Sequence, residues 1–151
     1  MDPLRLLARS ALGAIFISGG IDALRNPSGR AKLAAPVTEK ARQVADFLPE
    51  DNEQLVRING AVHVAAGGLL VLGKFPRLSA LVLAGSLIPT TLGGHRFWEA
   101  DDATTRKNQQ THFLKNVAIV GGLLFASLDR QGNPSLGWRA RRAAHRIPHV
   151  S

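Results

Sequence analysis

The chain has no cysteine. Disulfides, thiolate metal sites, thiol nucleophiles and paired-cysteine redox motifs are therefore excluded. It has no tyrosine and two tryptophans, too few aromatics for a surface on which nucleic-acid bases stack. No nucleophile elbow or catalytic triad is recognisable. Charged residues fill only 20% of the chain, and they are segregated, so that long stretches carry none. The 151 residues suit one compact domain rather than two. The net charge of +8 and isoelectric point near 11.3 suggest an anionic partner.

What the chain does have is four apolar stretches. They run from Leu4 to Leu24, Val56 to Gly73, Leu78 to Gly94 and Phe113 to Leu128. A bilayer-crossing helix needs about 20 predominantly apolar residues. The uncharged centres of the first and fourth are short enough for buried helices of a soluble bundle. The middle two have no charged face, which a soluble helix of that length would show. Arg5, Arg9, Arg57 and Lys115 sit near segment ends, where long side chains reach the interface. The expected fold is all-α: an antiparallel four-helix transmembrane bundle with spans at about 4–24, 56–73, 78–94 and 111–128. Residues 1–128 form the membrane domain and 129–151 a basic tail. The first span reads as retained rather than cleaved, because Asp22 falls where a signal-peptide cleavage site would lie.

Small residues recur at helical spacing: Ser10, Ala14 and Ser18; Ala61 and Ala65; Ala80 and Ala84; Gly122 and Ala126. Such stripes let membrane helices approach closely. Pro89 is expected to kink or locally break its helix, with Thr90 and Thr91 re-satisfying freed carbonyls. The segment from Arg25 to Gln54 reads as a long polar loop, with a short amphipathic helix over 38–47 lying at the membrane surface. Lys74 to Arg77 reads as a tight turn, and His95 to Gln110 as a polar loop.

Cations divide almost evenly between the two sides, nine against ten of the 19. The termini side concentrates its share in a short turn and a tail with five arginines (Arg130, Arg139, Arg141, Arg142, Arg146), which favours both termini on the cytoplasmic side of a bacterial plasma membrane. The tail reads as an anchor on anionic lipid. Nucleic acid is not the expected partner, since no second basic element or recognition motif accompanies it.

Antiparallel spans bring Asp22, Arg57, Asn59, His63, His95, Arg96, His112, Lys115 and Asn116 to one face. His63 lies deepest, on the order of 9 Å along the helix from Arg57. Asn59 and His63 share one helix face, and His112 and Asn116 another. Asp22 is expected to pair with Arg57 or Lys115. Ionisable groups inside a membrane are costly and mark candidate sites. Asp22, Arg57, Asn59, His63, His95, His112, Lys115 and Asn116 are the candidate binding residues. Each has an ordinary alternative: a helix-end ion pair, an interhelical hydrogen bond, an interfacial side chain. Together they suit a small polar headgroup such as a quinone ring. The histidine spacing matches no compact metal motif, and no metal is expected.

The run Arg9-Ser-Ala-Leu-Gly-Ala-Ile-Phe-Ile-Ser-Gly-Gly-Ile-Asp-Ala-Leu-Arg-Asn-Pro27 resembles the first helix of DoxX family membrane proteins. So do Gly67-Gly-Leu-Leu-Val-Leu-Gly73, His95-Arg-Phe-Trp98 and, most specifically, Gln110-Thr-His-Phe-Leu-Lys-Asn-Val-Ala-Ile-Val-Gly-Gly-Leu-Leu124. The likeness is to members of actinobacterial type. It implies a four-helix membrane domain linked to quinone-coupled sulfur oxidation or oxidative-stress defence. The implied partners are soluble enzymes of the superoxide dismutase or sulfurtransferase type. Many relatives carry a carboxylate near the place of His63 and a lysine near Ala23, so no catalytic residue is carried over. Two functions follow as expectations. One is a membrane subunit supporting redox defence, an enzyme subunit only through a bound quinone or partner. The other is a non-catalytic scaffold recruiting partners through its loops and tail. A soluble nucleic-acid binder is a third, and oligomerisation stays open.

Overall fold

Helix boundaries follow from local chemistry. The computed structural model describes residues 3–129 and contains five helices: α1 (Pro3–Arg25), α2 (Pro27–Arg42), α3 (Asn52–Val71), α4 (Pro76–Gly94) and α5 (Ala103–Leu128), with a short 3-10 turn at Phe97–Glu99. Proline opens α2 and α4, where its missing N–H costs nothing. Asp51 caps α3 by accepting from the Glu53 N–H at 2.8 Å, and Asp102 caps α5 from the Thr105 N–H at 2.8 Å. Hydrogen bonds from Thr105 hold the Asp102 carboxyl below its ordinary range. The α3–α4 turn uses Gly73 and Phe75, both in the left-handed region at φ 67° and 50°. Gly73 closes α3 in the usual way for a helix C-terminus. The caps explain why α3 and α5 begin well before the apolar residues do.

Four helical segments are long and apolar enough to cross a membrane: Pro3–Arg25, Asn52–Val71, Pro76–Glu99 and Ala103–Leu128. The 20 residues of α3 span about 30 Å, one hydrocarbon thickness. No strand occurs among the described residues. The exterior is apolar: Leu7, Leu78, Leu81, Ile88, Leu114 and Phe125 are all exposed. A soluble bundle would hide these side chains, so the pattern is that of a membrane bundle. The basic tail beyond Asp129 lies outside the described residues.

The long polar first loop is corrected. Most of it is α2, which begins eleven residues before the surface helix expected at 38–47 and ends at Arg42. Pro36 lies inside α2 without ending it. Packing explains the difference: Pro27 and Ala31 are buried, and α2 rests on α3 and α4. Arg42 fastens its far end, donating to the carbonyls of Pro49 (3.0 Å) and Glu50 (2.7 Å) and to Asn52 Oδ1 (2.6 Å). The third loop is also shorter than expected, because α5 starts at Ala103. Helix α4 runs continuously through Pro89. Thr90 and Thr91 donate to the carbonyls of Ser86 (2.6 Å) and Leu87 (2.7 Å), not to the Gly85 carbonyl that Pro89 leaves without its helical donor.

Glycine, not the expected Ser–Ala stripe, brings α1 against α3. A Cβ on Gly20 would lie 2.6 Å from the Gly60 carbonyl oxygen, and one on Gly60 would lie 2.9 Å from that of Gly20. Gly13 and Gly67 oppose each other in the same way, at 2.8 and 3.1 Å. At such separations even alanine is too large; of the expected stripe Ala14 and Ser18 are exposed and Ser10 is half-buried, and Ala61 and Ala65 are exposed as well. Ala80 and Ala84 are buried as expected, and Gly122 and Ala126 are half-buried. The small core joins Phe16, Ala66, Leu70, Leu83, Leu87 and Leu123, with Leu12 and Ile119 against it.

The two ends of the bundle differ. At one, Asp129 receives Arg5 (3.4 Å) and Arg9 (3.6 Å) on its carboxylate and Arg77 on its carbonyl (3.1 Å). At the other end the polar residues converge.

Candidate functional site

A cavity of about 400 Å³ opens inside the polar end. Asn59 and His63 from α3, His95 from the end of α4 and Asn116 from α5 all line it. Apolar walls come from Ile15, Phe16, Leu87 and Ile119. The expected grouping of these four polar residues therefore exists.

His63 sits near the middle of α3 and is 7% exposed. Its Nε2 lies 3.0 Å from Ser86 Oγ and 3.5 Å from Asn59 Nδ2. Phe16 meets the imidazole edge-on, with ring centres 5.1 Å apart and planes at 84°. The ring is thus fixed from α1, α3 and α4 at once. Ser86 Oγ also donates to the Leu83 carbonyl at 3.0 Å. Asn116 Nδ2 donates to Thr91 Oγ1 at 3.0 Å, tying α5 to α4 beside the cavity.

Near the rim, His95 Nδ1 lies 2.9 Å from Gln109 Oε1. An amide oxygen only accepts, so this nitrogen carries the proton. His112 stacks on His95 with centres 5.1 Å apart and planes at 15°. Lys115 Nζ lies 3.2 Å from His112 Nδ1. His112 and Lys115 therefore support the rim from outside the cavity lining.

Asp22 does not pair with Arg57 or Lys115. Its carboxylate takes Arg30 of α2 at 2.5 Å and Asn26 at 3.2 Å. The chain turns directly into α2, which brings Arg30, eight residues on, back to the carboxylate. Arg30 itself lines the cavity. Arg57 donates to the Leu24 carbonyl at 2.9 Å, closing the end of α1. Arg96 pairs with Glu99 at 2.7 Å within the connecting turn. Arg57 and Arg96 lie outside the lining. Phe97, Trp98 and Phe113 pack edge-on to one another, pinning that turn to α5.

Sequence reasoning missed Arg30, Ser86 and Thr91. Ser86 and Thr91 carried a faint signal as polar residues on an otherwise apolar helix. Arg30 carried none, since its role depends on α2. Among the described residues, no group of three or more His, Asp or Glu side chains converges as a metal site.

Residues 4–96 match the DoxX family. This chain belongs to the DoxX family. The matched segment of this DoxX protein covers α1 to α4, so the α5 side of the cavity lies beyond it. The chain is similar to the inner membrane protein YphA of Escherichia coli strain K12, 29% identical over 140 residues. That alignment covers 90% of this chain and 89% of the relative. No solved structure matches. This DoxX protein is a multi-pass membrane protein whose four long apolar helices lie in a lipid bilayer.

Proposed function

We propose that this protein binds the headgroup of a quinone-like molecule in the cavity and serves as a membrane subunit of redox or oxidative-stress defence. The observation that carries the reading is His63: nearly buried, lining a membrane-level cavity, and held from three helices. A volume of about 400 Å³ falls within the usual range of about 300–1,000 Å³ for small-molecule sites. Apolar walls suit a ring, and the Asn59 and Asn116 amides with the two imidazoles suit its oxygens. The chain has no redox side chain beyond tryptophan and methionine, so the redox chemistry belongs to the bound quinone or to a partner enzyme. The likeness of the 110–124 run to actinobacterial members supports a partner of the superoxide dismutase or sulfurtransferase type. The reading puts both termini on the cytoplasmic side of a bacterial plasma membrane, supported by the cluster of Arg5, Arg9 and Arg77 at that end.

The test uses protein in lipid nanodiscs with Trp138→Phe, leaving Trp98 as the fluorophore. A decyl-substituted benzoquinone should quench Trp98 saturably. His63→Ala should weaken that binding at least tenfold, about 1.4 kcal/mol, while the helix content stays unchanged. Saturable quenching that survives His63→Ala at full strength refutes the site.

A further inference from the structure

The helices around the cavity are unequally joined. Reciprocal glycines close α1 on α3. The His63–Ser86 contact joins α3 to α4, and Asn116–Thr91 joins α4 to α5. Helix α2 packs between α3 and α4 at this end, with Ala31 buried and Val37 against Gly93. The seam between α1 and α5 is different. It is closed at the arginine end, where Asp129 meets Arg5 and Arg9. One step further in, Leu12 lies against Gly122, where a Cβ would sit 3.6 Å from its side chain.

Beyond that step the facing residues of the two helices line the cavity. One turn on, Ile15 and Ile119 both line the cavity, and Ile15 is 45% exposed. One turn further, Gly19 and Asn116 line it too, and a Cβ on Gly19 would meet nothing within 4 Å. Asp22 turns to Arg30 and Lys115 to His112, so neither charge bridges the seam. An opening at this level faces hydrocarbon, because α1 and α5 are both membrane-spanning.

We propose that the ligand is a lipid-tailed ring that enters sideways from the bilayer between Ile15 and Ile119, its head in the cavity and its tail left in the α1–α5 seam. This rests on the headgroup reading above and adds the class of ligand and its route. The physical reason is the continuity of apolar surface from the Phe16 and Ile119 walls to the lipid. A long apolar tail gains nothing by crossing the polar rim, whereas along this seam it stays in hydrocarbon throughout.

The absence of native cysteine makes a clean test possible. Ile15→Cys and Ile119→Cys, joined after folding by a reductant-cleavable bis-methanethiosulfonate linker, should slow decyl-benzoquinone association at least tenfold in nanodiscs. Reductant should restore the rate. The same linker between Leu12→Cys and Gly122→Cys, where the helices already touch, should leave it unchanged. At equal concentration in the membrane, the unsubstituted ring should bind at least tenfold more weakly than the decyl form. Unaltered association after joining positions 15 and 119 overturns the route. So does slowing that appears only when Leu33→Cys of α2 is tethered to Thr90→Cys of α4. Equal binding of the two rings overturns the tail. Absence of saturable quenching in the unjoined protein defeats the headgroup reading itself, and this inference with it.

Discussion

A single imidazole concentrates the chemistry of this molecule. His63 was conspicuous in the sequence because it is the deepest ionisable residue of an apolar run, where such a group is costly. Its partners were not legible. Ser86 lies 23 residues away on another helix, and only a folded bundle brings the two together. The contact gives a prediction at this scale. Ser86→Ala removes the hydroxyl that holds the ring and should cost about 1 kcal/mol, as interhelical hydrogen bonds in membranes do. Quinone binding should weaken severalfold, whereas Ser79→Ala, on the opposite half of α4, should leave it unchanged. Thermal unfolding in detergent and Trp98 quenching read the two effects separately.

Among the elements, the four spans were legible because hydropathy fixes them without tertiary knowledge. Helix α2 was not. Pro27, Pro36 and five charged residues make it look like a loop, and only its burial against α3 and α4 makes it a helix. The close-packing face was also misread, because small residues are common in apolar helices and spacing alone does not rank glycine above alanine. The difference is measurable at adjacent positions. Gly20→Ala places its Cβ within 2.6 Å of the Gly60 carbonyl oxygen and should cost about 1–3 kcal/mol by overpacking. Gly19→Ala meets nothing within 4 Å and should be neutral or slightly stabilising. Paired thermal melts of the two variants decide it. Equal destabilisation would mean that α1 does not meet α3 through the Gly20 face.

For the whole molecule, polar residues gathered at one end and arginines at the other follow from span direction, which the sequence determines once four crossings are accepted. The pairings within each end do not follow: Asp22 chose Arg30, because α2 folds back where a loop was expected. The proposed orientation has a direct test. A membrane-impermeant thiol reagent added to intact cells should label Asp101→Cys, in the connecting turn at the cavity end, and spare Phe75→Cys, in the turn at the arginine end. The reverse pattern places the cavity end toward the cytoplasm.

Asp129 holds α1 and α5 together at one end, with Arg5, Arg9 and Arg77 gathered on it and Leu12 against Gly122 just inside. Two long rods joined at one tip open like a pair of shears, as far as the α1–α3 and α4–α5 contacts yield. Between Arg9 and Asp22 the blade is roughly 20 Å long, so a swing of about 5° separates its free end by about 2 Å. Small tilts imposed by membrane thickness or lateral pressure are therefore amplified where the gap already exists. The same tilts leave the fixed tip almost unmoved.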